Sequence, residues 1–244
     1  MRAAERRIGV LDLARGLALV AMASFHLTYD LQLFGFLPHG TIATWPLWLY
    51  ARLIAGSFIF LAGVGLWLGH GRGIRWGPFW RRFARIAAGA MLVTVATFLV
   101  DRSSYVFFGI LHSIAVSSLI GLAFLRVPAA LTALAGCLAI IAPHVLTSGA
   151  FDAALLGWLG LASYGIRSVD FEPTFPWVAP FLFGIAAAKV AGRRGLWGSL
   201  RALRPKGPAF PVLAWAGRHS LPIYLLHQPI LFGLVWAAAR LNAA

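Results

Sequence analysis

Residues 11–30 read LDLARGLALVAMASFHLTYD. With its apolar flanks the stretch is long enough to cross a bilayer, which takes about 20 residues. Four side chains break the apolar character: Asp12, Arg15, His26 and Asp30. On a helix turning about 100° per residue, His26 lies about 20° from Arg15, and Asp12 and Asp30 each lie about 60° away on the same side. All four therefore share one face. Charged groups are costly against lipid, so this face must look into protein or a watered cavity.

Working outward, the rest of the chain repeats the apolar pattern. Of 244 residues, 60% are hydrophobic and only 11% charged, with a mean hydropathy of +0.81. That is too little charge to cover a soluble domain of this length. Apolar runs at roughly 9–33, 47–68, 84–100, 107–125, 128–146, 175–191 and 212–238 each approach a membrane span. The expected fold is all-α, a polytopic integral membrane helical bundle of about seven transmembrane helices forming one domain over residues 1–244. The segment 150–166 is expected to be an outer-face interfacial or re-entrant piece. Asp12 and Arg15 interrupt the first apolar run, so it is read as an uncleaved span rather than a signal peptide.

The net charge is +14, but its placement follows membrane topology. Arg2, Arg6 and Arg7 precede the first span, and Arg72, Arg75, Arg81, Arg82 and Arg85 fall between the second and third. Arg126 and the stretch from Lys189 to Lys206 complete the set. The alternate connections carry only Arg102 and Arg167. Basic residues stay on the cytoplasmic side, so the N-terminus is expected inside and the C-terminus outside. Nucleic acid is not an expected partner; the bilayer is. The single cysteine, Cys137, leaves no disulfide framework or haem-attachment signal, and no spacing suggests a metal site.

The stripe has two ends. Asp12 and Arg15, at i and i+3, can pair near the cytoplasmic end. His26 and Asp30, at i and i+4, lie about 16 Å further along. A carboxylate one turn from a histidine can hold one ring nitrogen and leave the other to take a proton. Arg52 and His112 are expected in the same outer cavity, and His219, Tyr224 and His227 run along the last span. The structural alternative is that each pair only fixes helix packing. Residues 69–86, GHGRGIRWGPFWRRFARI, add five arginines and two tryptophans. Arg82 and Arg85 could grip phosphate while Trp76 or Trp80 stacks on a base, as a coenzyme A nucleotide would require.

These pieces carry a family likeness. LDLARGLALVAMASFH resembles the first-helix signature of transmembrane acyltransferases, an arginine and a histidine separated by ten residues. GSFIFLAGVG with FWRRFARI resembles elements of acyltransferase family three, and GRHSLPIYLLHQPI resembles the closing helix of that superfamily. FFGILHSIA, the short first loop and the compact size are most similar to the bacterial branch of the heparan-alpha-glucosaminide N-acetyltransferase catalytic-domain family.

The resemblance implies a multi-pass acyl-coenzyme A-dependent acyltransferase of a bacterial inner membrane. It would move an acyl group, acetyl above all, from cytoplasmic acyl-coenzyme A to an extracytoplasmic sugar hydroxyl or amine. His26 would be the catalytic base or nucleophile, and Arg82, Arg85 and Arg15 would bind or position the coenzyme. Beside it stands our spacing argument that Asp30 orients His26, with Arg52, His112 and His227 as expected substrate contacts. The envelope glycan would be the partner, and a homo-oligomer is compatible with the sequence. A proton-coupled transporter or flippase is the main alternative, since intramembrane Asp and His also build proton relays. A haem protein using His26 and His112 and a purely structural scaffold are weaker alternatives. A retinal protein is disfavoured because Lys189 and Lys206 are both expected in a cytoplasmic connection.

Overall fold

The structure is a computed structural model that describes residues 8–203 and 207–242. Arg2, Arg6, Arg7 and Lys206, part of the orientation argument, lie outside the described residues. The chain is an all-α polytopic membrane protein, and among the described residues six helices are long and apolar enough to span a bilayer. It divides into two compact units, Met1–Phe58 with Gly195–Ala244, and Ile59–Arg194.

The first unit is built around α1 (Gly9–Leu33), which coincides with the expected first span. It also holds the first half of α2 (Trp45–His70), together with α7 (Leu196–Ala202), α8 (Ala209–Arg218) and α9 (Ser220–Asn242). Leu19, Met22 and Ile54 form a buried core with Phe25, Tyr50, Phe58, Ala216, Ile223 and Tyr224 around it. α1 and α8 touch backbone to backbone. A Cβ on Gly16 would strike the Leu213 carbonyl, and one on Gly217 would strike the Asp12 carbonyl. Small residues permit such close approach between membrane helices.

The expected span 212–238 is in fact two helices broken at His219, whose φ of −107° and ψ of 31° leave the helical region. Pro222 supplies the reason. It has no N–H to bond the carbonyl of Arg218, so a continuous helix would lose a bond there, whereas near a fresh N-terminus that donor is not needed. Hydropathy alone does not register this break.

The second unit holds α3 (Trp76–Val100), α4 (Ile110–Phe124), α5 (Ala129–Leu146) and α6 (Thr174–Arg193) with the rest of α2. α5 and α4 both pack along α6, and α3 packs on α4. Two boundaries differ from expectation. α3 begins at Trp76 rather than near 84, so most of the basic 69–86 stretch is helix and not loop. The fourth span shortens to the 15 residues of α4, because residues 104–108 pair with 168–172 instead. Val169 N–H donates to Ser104 O at 2.9 Å and Glu172 N–H to Phe108 O at 2.8 Å. Residues 150–166 form 3-10 turns, Gly149–Phe151 and Ala154–Leu159, followed by irregular chain.

Lys189 corrects another expectation. It lies within α6 and is buried, donating to the carbonyls of Phe124 and Val127 and to Thr132 Oγ1. A cation at these carbonyls caps the C-terminal end of α4, where the chain leaves acceptors unpaired.

Candidate functional site

The polar face of α1 is inward, as its helical phase requires. Asp12 is 7% exposed and Asp30 0%, while Leu17 and Val20 on the other face are 52% and 56% exposed. At the N-terminal end Arg15 Nη1 donates to Asp12 Oδ1 at 3.1 Å, the expected i, i+3 pair.

At the other end α1 meets α9 along a seam of three rungs. The His26 ring packs edge-on against His227, with centroids 4.9 Å apart and planes at 65°. One turn on, Gln228 Nε2 donates to Asp30 Oδ1 at 2.8 Å. A further turn on, Phe34 packs on Phe232 at 5.1 Å. Residue numbers rise together on both helices, so α1 and α9 run parallel.

Asp30 thus does not orient His26 through a hydrogen bond. Its Oδ1 is taken by Gln228 from the neighbouring helix, and the group that meets His26 is the second imidazole. His227 Nδ1 lies 2.6 Å from Tyr224 O. A carbonyl can only accept, so Nδ1 carries the proton and the neutral ring presents a lone pair at Nε2. Three buried atoms of this seam have no hydrogen-bond partner among the described residues: Asp30 Oδ2, His227 Nε2 and Gln228 Oε1. Buried polar atoms are nearly always satisfied, so three orphans together mark a place built for something polar.

Arg52 and His112 have other engagements. Arg52, exposed on α2, lays its guanidinium over Trp48 at 3.6 Å from the ring centre. His112 belongs to the second unit and is held at both nitrogens. Gly109 N–H donates to its Nδ1 at 3.3 Å, so the neutral ring carries its proton on Nε2, 3.2 Å from Thr94 Oγ1. Thr94 in turn donates to Val106 O at 2.8 Å. This chain fastens α4 to α3.

Arg82 and Arg85 lie in the first turns of α3, also in the second unit. Arg85 Nε donates to Arg81 O at 3.2 Å and its side chain is exposed; Arg82 is half-buried. Trp76 and Trp80 stack on each other, centroids 6.4 Å apart, and Phe79 and Phe83 continue the cluster. The α2–α3 turn is closed by His70, whose Nδ1 accepts from Arg75 N–H at 3.1 Å.

The acids of the connections outside the spans behave differently from one another. Hydrogen bonds from the hydroxyls of Ser104 and Ser103 hold the exposed Asp101 carboxyl down at about 2. Ser163 does the same in kind for Asp152. Burial pushes Asp170 up to about 6, against a hydrogen bond from Ile110 N–H at 3.4 Å that favours its charge. Among the described residues no three His, Cys, Asp or Glu side chains converge to hold a metal ion.

The sequence pointed to His26, Asp30 and His227, and the structure places His26 on His227 with Asp30 one turn away. Gln228 is not among the residues singled out from the sequence. The available signal was a neutral amide in an apolar helix, costly there without a partner; the partner is 198 residues away in sequence.

Comparison with curated proteins and with solved structures gave no match. Compared with known families, residues 7–229 match the one described as Heparan-alpha-glucosaminide N-acetyltransferase, catalytic. The match spans nearly the whole chain, including both α1 and the Asp30–Gln228 rung, and the chain belongs to this family of membrane acetyltransferases.

Proposed function

We propose that the protein transfers an acetyl group from cytoplasmic acetyl-coenzyme A to a hydroxyl or amine of an extracytoplasmic glycan, in a bacterial plasma membrane. The observation that carries this reading is the packing of His26 on His227 in a buried polar seam of α1 and α9.

A thioester is already activated, so the protein has two tasks: to take a proton from the acceptor and to steady the tetrahedral oxyanion. His26 takes the proton as the acceptor oxygen or nitrogen attacks the thioester carbonyl carbon. The new C–O or C–N bond forms as the C–S bond breaks, and the coenzyme thiolate leaves and is protonated. Alternatively His26 attacks first and carries the acetyl group as acetyl-imidazole. Arg82 and Arg85 serve the coenzyme phosphates, for which a guanidinium is suited, and Arg15 positions the N-terminal end of the stripe. Arg52 and His112 are engaged elsewhere, so we assign acceptor contact to the α1–α9 seam.

The test is incubation of proteoliposomes with labelled acetyl-coenzyme A and candidate glycans, comparing wild type with His26→Ala. Transfer should fall by at least about 100-fold, the scale of losing a general base. Equal transfer by both proteins removes His26 from the mechanism. Arg82→Ala/Arg85→Ala should weaken coenzyme binding, and unchanged binding removes that assignment. The buried Asp30 with two histidines also suits a proton-coupled transporter, which would move solute in liposomes without consuming acetyl-coenzyme A.

A further inference from the structure

We infer that Asp30, Gln228 and His227 form an acceptor-binding subsite that recognises its ligand through the ligand's hydrogen-bond donors, with Gln228 as its specificity-determining residue. This deepens the acyl-transfer reading and rests on it for the identity of the ligand as the acceptor.

Gln228 Nε2 donates to Asp30 Oδ1 at 2.8 Å. With the amide nitrogen spent on Asp30, Oε1 is the free acceptor of the amide. His227 spends its Nδ1 proton on Tyr224 O at 2.6 Å and keeps a bare Nε2. Asp30 has a second oxygen, Oδ2. These three are orphaned buried atoms of the seam among the described residues, and neither the imidazole Nε2 nor the amide Oε1 brings a proton. A sulfate or carboxylate has no donor to offer the imidazole Nε2 and the amide Oε1. A hydroxyl or amine of a sugar satisfies them, and the adjacent His26 ring, 4.9 Å from that of His227, is then beside the group to be deprotonated. The Gln228 amide therefore does two jobs: it holds Asp30 in place and turns an acceptor toward the ligand.

The test uses the purified full-length protein in nanodiscs, with glucosamine, glucose and methyl tetra-O-methylglucoside as probes. The last keeps its oxygen lone pairs and loses every O–H. Equilibrium binding is measured alongside transfer kinetics for wild type, Asp30→Asn and Gln228→Leu, with acetyl-coenzyme A binding as the check that each variant is folded. Glucosamine or glucose should bind at least about 10-fold more tightly than the ether, because a site built for donors rejects a ligand lacking them. Each variant should raise the acceptor KM about 10- to 100-fold, the scale of a lost charge-assisted or buried hydrogen bond. Their acetyl-coenzyme A KM should stay near wild type.

Equal binding of the ether, or an unchanged acceptor KM in either folded variant, overturns the subsite. So does the absence of saturable binding by both sugars, even if acetyl transfer to another acceptor is found. Should Asp30→Asn fail to bind coenzyme, Gln228→Leu decides alone. Donor-dependent sugar binding that both variants weaken, in a protein that moves no acetyl group, keeps the subsite and overturns the transferase reading instead.

Discussion

Asp170 is half-buried at the N-terminus of α4, where Ile110 N–H reaches its Oδ2. Its carboxyl titrates at about 6 in the fold, against 3.8 when unperturbed. The folded protein therefore binds the extra proton between these values, and stability contributed by the neutral acid is lost as pH rises from about 4 to about 6. Ionising the group in place costs up to about 3 kcal/mol by the same difference. Asp170→Asn keeps an oxygen for Ile110 N–H and cannot ionise. The variant should be more stable than wild type at pH 7.5, and the two should converge near pH 4, read as thermal midpoints in detergent. Parallel curves across that range would show that Asp170 does not carry the pH dependence. Asp101, held at about 2, acts in a separate window. Its contribution is present above about 4 and fades only as pH falls toward 2, so the two effects do not overlap.

At the scale of elements, α2 and α6 cross at two reciprocal glycines. A Cβ on Gly63 would strike the Phe181 carbonyl, and one on Gly184 would strike the Phe60 carbonyl. Neither obstacle is a side chain that can swing away, so Gly63→Ala and Gly184→Ala should each destabilise by about 1–3 kcal/mol, the usual cost of overpacking. Once one methyl has parted the helices the second meets less resistance, so the double variant should cost less than the sum. Gly56→Ala, on the same α2 with open space around it, is the control and should be neutral or mildly stabilising. Full additivity would mean that the two glycines do not share one contact. None of this crossing was legible in the sequence, although the helices themselves were. α1 was found to the residue because the stripe and the apolar run end together. α3 was cut short because its first turns, from Trp76 to Arg85, are helical but too basic for a hydropathy window. The break at His219 was missed because Pro222 stands among Leu and Ile. The candidate site shows the same division. His26, Asp30 and His227 are ionisable or imidazole groups in apolar helices and announce themselves, whereas which group meets which depends on α9 lying beside α1.

For the whole molecule, the direction of α9 counts the membrane crossings. The rungs His26–His227, Asp30–Gln228 and Phe34–Phe232 make α1 and α9 parallel. Helices that cross in succession alternate in direction, so an even number of reversals must separate α9 from α1, which makes α9 an odd-numbered span. The six long apolar helices alone would make it the sixth and antiparallel. α7, with 7 residues, and α8, with 10, are too short to cross. The 15 residues of α4 must then count as a crossing, although they rise only about 22 Å against a hydrocarbon core of about 30 Å. A short span is accommodated by thinning of the bilayer around it and by flanking residues that reach to the interface. Single cysteines placed in a Cys137→Ala background test the count with a membrane-impermeant thiol reagent. Positions 72, 126 and 194 should react only from the cytoplasmic side, and positions 39, 102 and 165 only from outside. Position 126 is decisive, because it follows α4 directly: labelling there together with 102 would mean that α4 does not cross. The seven-span path, and with it a polar seam whose His26 end faces outward, would then have to be abandoned.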